Sequence, residues 1–365
     1  RLIKGQDPQN EAVKSGKHAP LASQRPHVLP CAGEDIVGNV MVQAALQPGL
    51  SKVIHHLLDY LEGQGNEVYI TSVDHWPQLQ NRTFAEISFM CDGAVVLGVL
   101  TRREQKLDGQ SVDSSHEECP MVLNPPDDFI VKPGDQLCFV AQDKTPQAFK
   151  VREAPACLRT ALSVPGSDRA LSERKPNQQL LICNWRDDME DVLHALDKRA
   201  GPGAVLTIVS HLSVEERQAM LDEGGGLKKL RNLRIKHLTY NTVKKRHLEQ
   251  LLCSVQSPAY DAVLVFSDDI EGSNDFDARA VVCSMLVQSM RAQRGHSGRT
   301  DDSIITEIKD RQSLQLLRVA GISHFVISDE LTSMMMIHLA RNPSLRHFWI
   351  DNVFSSGTSE FAIVP

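Results

Sequence analysis

Carboxylates in two turns are the side chains of this sequence best suited to binding a ligand. Each turn follows an apolar segment that is predicted to be a buried strand, Gln179–Cys183 in one case and Ala262–Phe266 in the other. The carboxylates are those of Asp187, Asp188, Asp268, Asp269 and Glu271. Neighbouring parallel strands end at one edge of a doubly wound sheet, so the two turns are expected to converge. Oxygen ligands packed this densely predict a Ca²⁺ site.

The same turns have a simpler interpretation. The run from Asp268 to Asp277 does not match the ligand spacing of an EF-hand loop. Carboxylates ahead of a helix often accept hydrogen bonds from its first backbone N–H groups. A solvated acidic loop that caps the next helix is therefore the alternative to a calcium site, and the sequence leaves both open.

The turn after Cys183 argues against a nicotinamide cofactor. A dinucleotide site needs G-x-G-x-x-G at this point so that the backbone can approach the pyrophosphate. This turn contains no glycine, Trp185 fills the space, and Asp187 and Asp188 would repel a phosphate. No NAD is expected. No catalytic motif such as G-x-S-x-G or H-E-x-x-H occurs either, so no covalent chemistry is expected.

Alternating elements must position these turns. Continuously apolar segments alternate with amphipathic ones between residues 179 and 310. This pattern predicts a Rossmann-like, doubly wound parallel sheet with helices on both faces. The predicted strands are Gln179–Cys183, Ala204–Val209, Leu233–His237 and Ala262–Phe266.

A repeated segment organises the rest of the chain. Glu34–Leu50 and Asp329–Leu345 both have helical apolar spacing, and each ends in a turn with proline. The offset is constant, since 343 − 48 and 345 − 50 are both 295. We predict an internal duplication of a helix–turn–helix crossover, with chance similarity as the alternative. The second copy follows an α/β unit and the first does not, so a longer protein is expected.

The apolar residues of the two crossovers predict self-association. A lone helix pair would leave them in an exposed patch larger than monomers usually show. The predicted interface residues are Val40, Met41, Pro48, Leu50, Ile54, Leu58, Met336, Pro343 and Leu345.

Between the repeats lies a segment with β-strand character. Strands are predicted at Glu67–Val73, Ala94–Leu100 and Gln136–Ala141, which indicates a small β-rich α+β lobe. Proline-bearing polar segments at 1–32 and 151–178 are predicted linkers.

The composition restricts the function classes. The formal net charge of −7 argues against a nucleic-acid-binding protein, which needs a basic surface. The sequence has no run of about 18 apolar residues of the kind that spans a bilayer. Its eight cysteines are scattered without a C-x-x-C pair, which favours free thiols over a disulfide framework.

Six short motifs follow one another along the chain. They are Ala45–Leu50, Gly134-Asp135, Asn184-Trp185-Arg186, Arg246–Glu249, Asp277-Ala278-Arg279 and Ser328–Met334. The ordered series resembles the CASTOR/POLLUX family of plant-type ion channels, which more usually has Gly-Trp-Arg at the position of Asn184-Trp185-Arg186.

The resemblance implies a truncated tandem RCK (regulator of potassium conductance) region. Residues 33–150 would be the crossover and small lobe of the first RCK domain. Residues 179–310 would be the Rossmann lobe of the second, and 311–365 its crossover and the start of its small lobe.

The function implied is that of a gating region that couples ion binding to pore opening in a potassium or calcium-regulated cation channel. Such a region forms a homotetrameric ring attached to the transmembrane pore of the same full-length chain. This chain would be the soluble part of a membrane protein, at the nuclear envelope in plant-type channels. The alternatives are a Rossmann-type nucleotide-binding enzyme and a poreless Trk-type regulatory subunit.

Overall fold

The structure is a computed structural model that describes ten parts of the chain. They are residues 33–59, 66–101, 121–142, 150–152, 175–223, 230–254, 257–267, 276–293, 303–354 and 361. The chain divides into residues 1–31 and 32–365, and all described residues belong to the second unit. The linkers predicted at 1–32 and through most of 151–178 lie outside the described residues, so they stay predictions.

The helices and strands follow the predicted order. The helices are α1 (Gly33–Leu46), α2 (Leu50–Leu58), α3 (Phe84–Met90), α4 (Met189–Arg199), α5 (Val214–Glu223), α6 (Lys245–Leu252), α7 (Phe276–Gln293), α8 (Leu314–Ala320), α9 (Ser328–Arg341) and α10 (Leu345–Phe348), followed by a π-helical turn (Trp349–Val353). The strands are β1 (Glu67–Ser72), β2 (Arg82–Thr83), β3 (Cys91–Asp92), β4 (Val95–Leu100), β5 (Met121–Leu123), β6 (Ile130–Val131), β7 (Gln136–Ala141), β8 (Lys150–Val151), β9 (Gln179–Cys183), β10 (Ala204–Ser210), β11 (Leu233–Thr239), β12 (Ala262–Val265), β13 (Ile304–Ile308) and β14 (Phe325–Ile327).

The larger sheet confirms the predicted fold class. Its six strands lie in the order β11-β10-β9-β12-β13-β14, and all of them are parallel. The strand order therefore reverses between β9 and β12, which is where doubly wound sheets bind ligands. We call this sheet and its helices α4 to α8 the second lobe.

The predicted end of the second lobe at residue 310 is wrong. Two strands were missed, β13 and β14, and β14 extends the sheet to Ile327. Thr306 and Glu307 interrupt the apolar pattern of β13, and β14 is only three residues long. The second crossover accordingly begins at Ser328.

An antiparallel sheet forms the smaller lobe that follows α2. Its strand order is β1-β7-β4-β5, and its core contains Trp76, Leu137 and Phe139. Thr83 and Glu86 form a reciprocal capping box at the start of α3, with both bonds 3.2 Å long. The three strands predicted here are confirmed as β1, β4 and β7.

The two crossovers pack on each other through a pair of reciprocal hydrogen bonds. Gln43 Nε2 donates to the Val353 carbonyl at 2.8 Å, and the ring Nε2 of His338 bonds the Leu58 carbonyl at 2.9 Å. The repeat offset returns here, since 338 − 43 and 353 − 58 are both 295. Equivalent residues of the two repeats thus make the same contact with each other, as in a two-fold symmetric interface. This reciprocity supports internal duplication over chance similarity.

Most of the crossover residues predicted to form a subunit interface are buried by other parts of the same chain. Six of them are buried against elements of this same chain: Val40, Met41, Leu50, Ile54, Leu58 and Leu345. These six residues do not form the exposed apolar patch that was predicted, because the crossovers pack against each other and against the two lobes. Self-association itself stays a prediction. Pro48, Met336 and Pro343 are exposed.

Candidate functional site

A cleft of about 590 Å³ lies at the carboxyl edge of the second lobe, beside the start of both crossovers. The second lobe contributes Arg186, Asp187, Asp188, Ser267, Glu307 and Lys309. The crossovers contribute Gly33, Val37, Ser328, Asp329, Thr332 and Ser333. A ligand in this cleft would touch both the sheet edge and the first turns of α1 and α9.

Glu307 connects the two walls of the cleft. Its carboxylate accepts hydrogen bonds from Arg186 Nη1 and from the hydroxyl of Ser328, the first residue of α9. It also accepts from the backbone N–H of Ser267, which follows β12, at 3.2 Å. One buried carboxylate on β13 therefore holds the turns after β9 and β12 and the start of the second crossover.

Arg186 is the cation of this network. Its Nε and Nη2 donate to the two carboxylate oxygens of Asp188 at 2.6 and 2.9 Å, which is the bidentate geometry of strong Arg–carboxylate pairs. The side chains of Arg186, Asp188 and Glu307 are only 10, 6 and 3% exposed. Burial opposes the charge on Arg186, but Glu307 and Asp188 outweigh it and raise the pKa of Arg186 above its ordinary value. The guanidinium therefore stays charged.

The turn after β9 has a left-handed residue where a dinucleotide site would have glycine. Asn184 has φ 75°, a conformation that asparagine adopts more easily than most residues other than glycine. Its buried amide donates to the Phe266 carbonyl at 2.7 Å and accepts from the Thr242 hydroxyl at 2.6 Å. The Asn184 side chain thus ties β9 to the end of β12 at the point where the strand order reverses.

Trp185 is buried next to this point, and a buried arginine supports it. The guanidinium of Arg217 lies 6.0 Å from the Trp185 ring centre and bonds the carbonyls of Ile208 and Leu238 at 3.5 and 3.3 Å. Arginine only donates, so His237 Nδ1, 3.3 Å away, accepts. Burial, and then the Arg217 charge, lowers the pKa of His237, which favours the neutral ring.

The predicted calcium ligands have three different outcomes. Asp187 is exposed and lines the cleft. Asp188 also lines it, but Arg186 binds both of its oxygens. Asp268, Asp269 and Glu271 lie outside the described residues. Within the described part of the chain no three His, Cys, Asp or Glu side chains are grouped to hold a metal ion. The calcium site therefore stays a prediction.

The helix-capping alternative for the acidic run stays a prediction, because the hydrogen bonds of its last member, Asp277, go to another segment. Asp277, in the first turn of α7, accepts backbone N–H bonds from Lys309 and Asp310 at 2.8 and 3.2 Å. It fixes the loop after β13, which supplies Lys309 to the cleft.

Sequence reasoning missed Glu307 and Ser328. The available signal was a carboxylate inside an otherwise apolar strand, since buried charges are usually paired. That signal could not name Arg186 as the partner, because 121 residues separate the two in the chain.

Comparison with known proteins agrees with the resemblance seen in the sequence. The family model described as "Castor and Pollux, part of voltage-gated ion channel" matches residues 34–155. The chain is 27% identical to the probable ion channel POLLUX of Arabidopsis thaliana over 91% of its own length and 40% of that protein. It is 26% identical to the ion channel CASTOR of Lotus japonicus, over 90% of this chain and 38% of that protein. The chain thus spans about two fifths of these relatives.

Solved structures similar to this chain include "GsuK channel bound to NAD", at 13% identity and a TM-score of 0.35, covering 86% of this chain and 43% of that one. The GsuK RCK domain matches at 11% identity and a TM-score of 0.29, over 81% of this chain and 53% of that one.

In the described residues no helix is long and apolar enough to cross a membrane. The chain is thus similar in sequence to proteins named as CASTOR and POLLUX ion channels, and the resemblance predicted from its motifs is confirmed.

Proposed function

We propose that this chain is a regulatory region of a cation channel, in which a ligand in the cleft shifts the crossovers relative to the second lobe. The similarity to proteins named ion channels supports the channel part of the proposal. Glu307 is the observation that carries the coupling part, because its carboxylate joins Arg186 on the lobe to Ser328 on α9.

A ligand can act here only through a difference in affinity. An ion that binds more tightly to one arrangement of lobe and crossover moves the population toward that arrangement, by no more than its differential binding free energy. The proposed full-length protein is a potassium channel or a calcium-regulated cation channel. In it, four copies of this region form a ring, and the ring transmits the population shift to the transmembrane pore. We propose that the full-length protein lies in the nuclear envelope if it is located as the plant-type channels are.

Ca²⁺ is the ligand that we propose for the cleft. Asp187 supplies an exposed carboxylate to it, and Asp268 and Asp269 directly follow the cleft residue Ser267 in the sequence. Asp188 and Glu307 are already neutralised in part by Arg186, so the described residues alone do not complete a calcium site. The proposal therefore depends on Asp268 and Asp269, with Glu271 as a further ligand.

Isothermal calorimetry tests the ligand. We expect wild-type protein to bind Ca²⁺ with millimolar or tighter affinity and the double variant Asp268→Asn/Asp269→Asn to lose that binding. The matched control is Asp222→Asn/Glu223→Gln, which removes two exposed carboxylates from α5, away from the cleft. Equal loss in both variants, or no heat in the wild type, contradicts a calcium site here.

Hydrogen exchange tests the coupling separately. We expect Ca²⁺ to change the exchange of the first amides of α9 in the wild type and to change it much less in Glu307→Gln, which lacks the charged acceptor. A Glu307→Gln variant that binds Ca²⁺ and still transmits the change contradicts the assigned role. Turnover of bound NAD or ATP would instead favour the nucleotide-enzyme alternative.

A further inference from the structure

A second cleft, of about 220 Å³, lies in the second lobe between α6 and the strands β9, β10 and β11. It shares no lining residue with the cleft that contains Glu307. β11 is the terminal strand of the sheet, and its Leu238 and the following Tyr240 are only partly buried against the core. The cleft therefore lies at the side of the lobe where the sheet ends. We call it the β11 cleft.

The lining of the β11 cleft is suited to an anion. Lys236 is the cation of the lining, and no Asp or Glu is among the described residues that form it. The neutral polar side chains are those of Gln179, Thr207, Gln250, Ser254, Ser257 and Tyr260. Their amide and hydroxyl groups can donate hydrogen bonds to a negatively charged ligand, and no carboxylate in the lining repels it.

Two buried hydroxyls of the lining have a proton to spare. Thr207 and Tyr260 are 4 and 7% exposed, and their side chains hydrogen-bond to each other. The pair carries two O–H protons and the bond between them uses one, so the second can be donated to a ligand. Burial raises the pKa of Tyr260, which keeps the phenol protonated.

Cationic side chains border the β11 cleft. Residues 231–248 carry six Lys or Arg side chains and no Asp or Glu, in a chain whose net charge is −7. Arg234 is two residues before Lys236 in β11, so it lies on the same face of the sheet. Arg246 is one turn before Gln250 in α6, so it lies on the helix face that borders the cleft. These three cations are exposed, and within the described part of the chain none of them forms an ion pair.

We propose that the β11 cleft binds the phosphate group of a small phosphate monoester. Arginine and lysine pair with phosphate oxygens through charge-assisted hydrogen bonds, and the hydroxyl and amide donors of the lining add further contacts. The cleft is smaller than the pockets of about 300–1,000 Å³ that hold drug-sized molecules, so it suits a small ester. Leu238 and Leu251 give the carbon part of the ester an apolar surface. The two clefts are separate, so this site does not depend on Ca²⁺ binding in the first one.

Isothermal calorimetry with glycerol 3-phosphate, at constant ionic strength and without calcium, tests the site. We expect millimolar or tighter binding to the 365-residue chain. The variant Lys236→Gln/Arg246→Gln should weaken it about tenfold or more, because it removes two charge-assisted contacts.

The matched control is Lys244→Gln/Lys245→Gln, which removes the same number of charges from side chains that do not line the cleft. Its affinity should stay within about twofold of the wild type, since exposed charges outside the site are screened by salt. All four substituted side chains are exposed, so neither variant should change the melting temperature. Equal loss of binding in the two variants means general charge attraction and overturns the proposal.

Sedimentation with vesicles distinguishes the two sources of the phosphate monoester. Phosphatidate carries on a bilayer the ester group that glycerol 3-phosphate carries in solution. Pelleting with phosphatidylcholine vesicles that contain phosphatidate, lost in Lys236→Gln/Arg246→Gln and kept in the control, assigns a lipid head group. Calorimetric binding without pelleting assigns a soluble ester. Wild-type protein that neither pellets nor binds glycerol 3-phosphate overturns the proposal, as does pelleting that both variants lose equally.

Discussion

At the residue scale, the cleft depends on side chains that satisfy several backbone or charged groups at once. Glu307 bonds a guanidinium, a hydroxyl and a backbone N–H from three different segments. Such buried networks are worth more than isolated pairs only when every member is satisfied. A single substitution in this network therefore affects distant segments together.

Asn184 allows a direct test of this view. Asn184→Gly keeps the left-handed backbone but loses two buried hydrogen bonds, which costs about 1–3 kcal/mol of unfolding free energy. Asn184→Ala loses the same bonds and adds about 1–2 kcal/mol of left-handed strain. We expect urea unfolding to rank the stabilities as wild type, then Gly, then Ala. An Ala variant as stable as the Gly variant would contradict the importance of the φ of 75°.

At the element scale, the duplicated crossovers form a unit by pairing with each other. The shared polar contact uses glutamine in one repeat and histidine in the other, each donating to a helix-end carbonyl. Arg341 at the end of α9 also pairs with the buried Glu67 of β1 at 3.2 Å, which ties the second crossover to the smaller lobe.

The repeat itself supplies the substitution that tests this pairing. We expect His338→Gln to be nearly neutral, because Gln43 makes the equivalent bond in the other repeat. His338→Leu leaves the buried Leu58 carbonyl without this donor and should cost about 1–3 kcal/mol. Chemical denaturation of the two variants distinguishes them, and equal losses would mean that size rather than hydrogen bonding matters at this position.

At the scale of the whole molecule, the first repeat completes the core of the second lobe. The lobe places α4 and α5 after β9 and β10, and α1 from the other end of the chain packs on β12 and β13. The second lobe is thus expected to depend on a helix more than 130 residues before it in the sequence.

Two equivalent methionines test this dependence. Met41→Ala empties a fully buried site and should lower the unfolding free energy by about 2–5 kcal/mol. Met336→Ala changes the equivalent exposed residue and should stay within about 0.5 kcal/mol. Tryptophan fluorescence in a Trp76→Phe/Trp349→Phe background, where Trp185 of the second lobe is the remaining tryptophan, should follow the loss in Met41→Ala. If only far-UV circular dichroism changes and Trp185 does not, α1 is not part of the lobe's core.

The fold class and the duplication could both be predicted from patterns within the sequence. Apolar runs, helical spacing and the constant offset of 295 are local or one-dimensional patterns, so they are visible without coordinates. The same holds for the turn after β9, where the missing glycine and the presence of Trp185 are both features of adjacent residues.

Which helix faces are covered and which charges are paired could not be predicted without the coordinates. Met41 and Met336 have equivalent sequence contexts, and only the neighbouring lobe makes one of them buried. The sequence predicts Asp188 as a metal ligand, but in the structure Arg186 donates hydrogen bonds to both of its carboxylate oxygens. Burial and pairing depend on contacts between segments far apart in the chain, such as Gln43 with Val353, and no local pattern encodes the choice of partner.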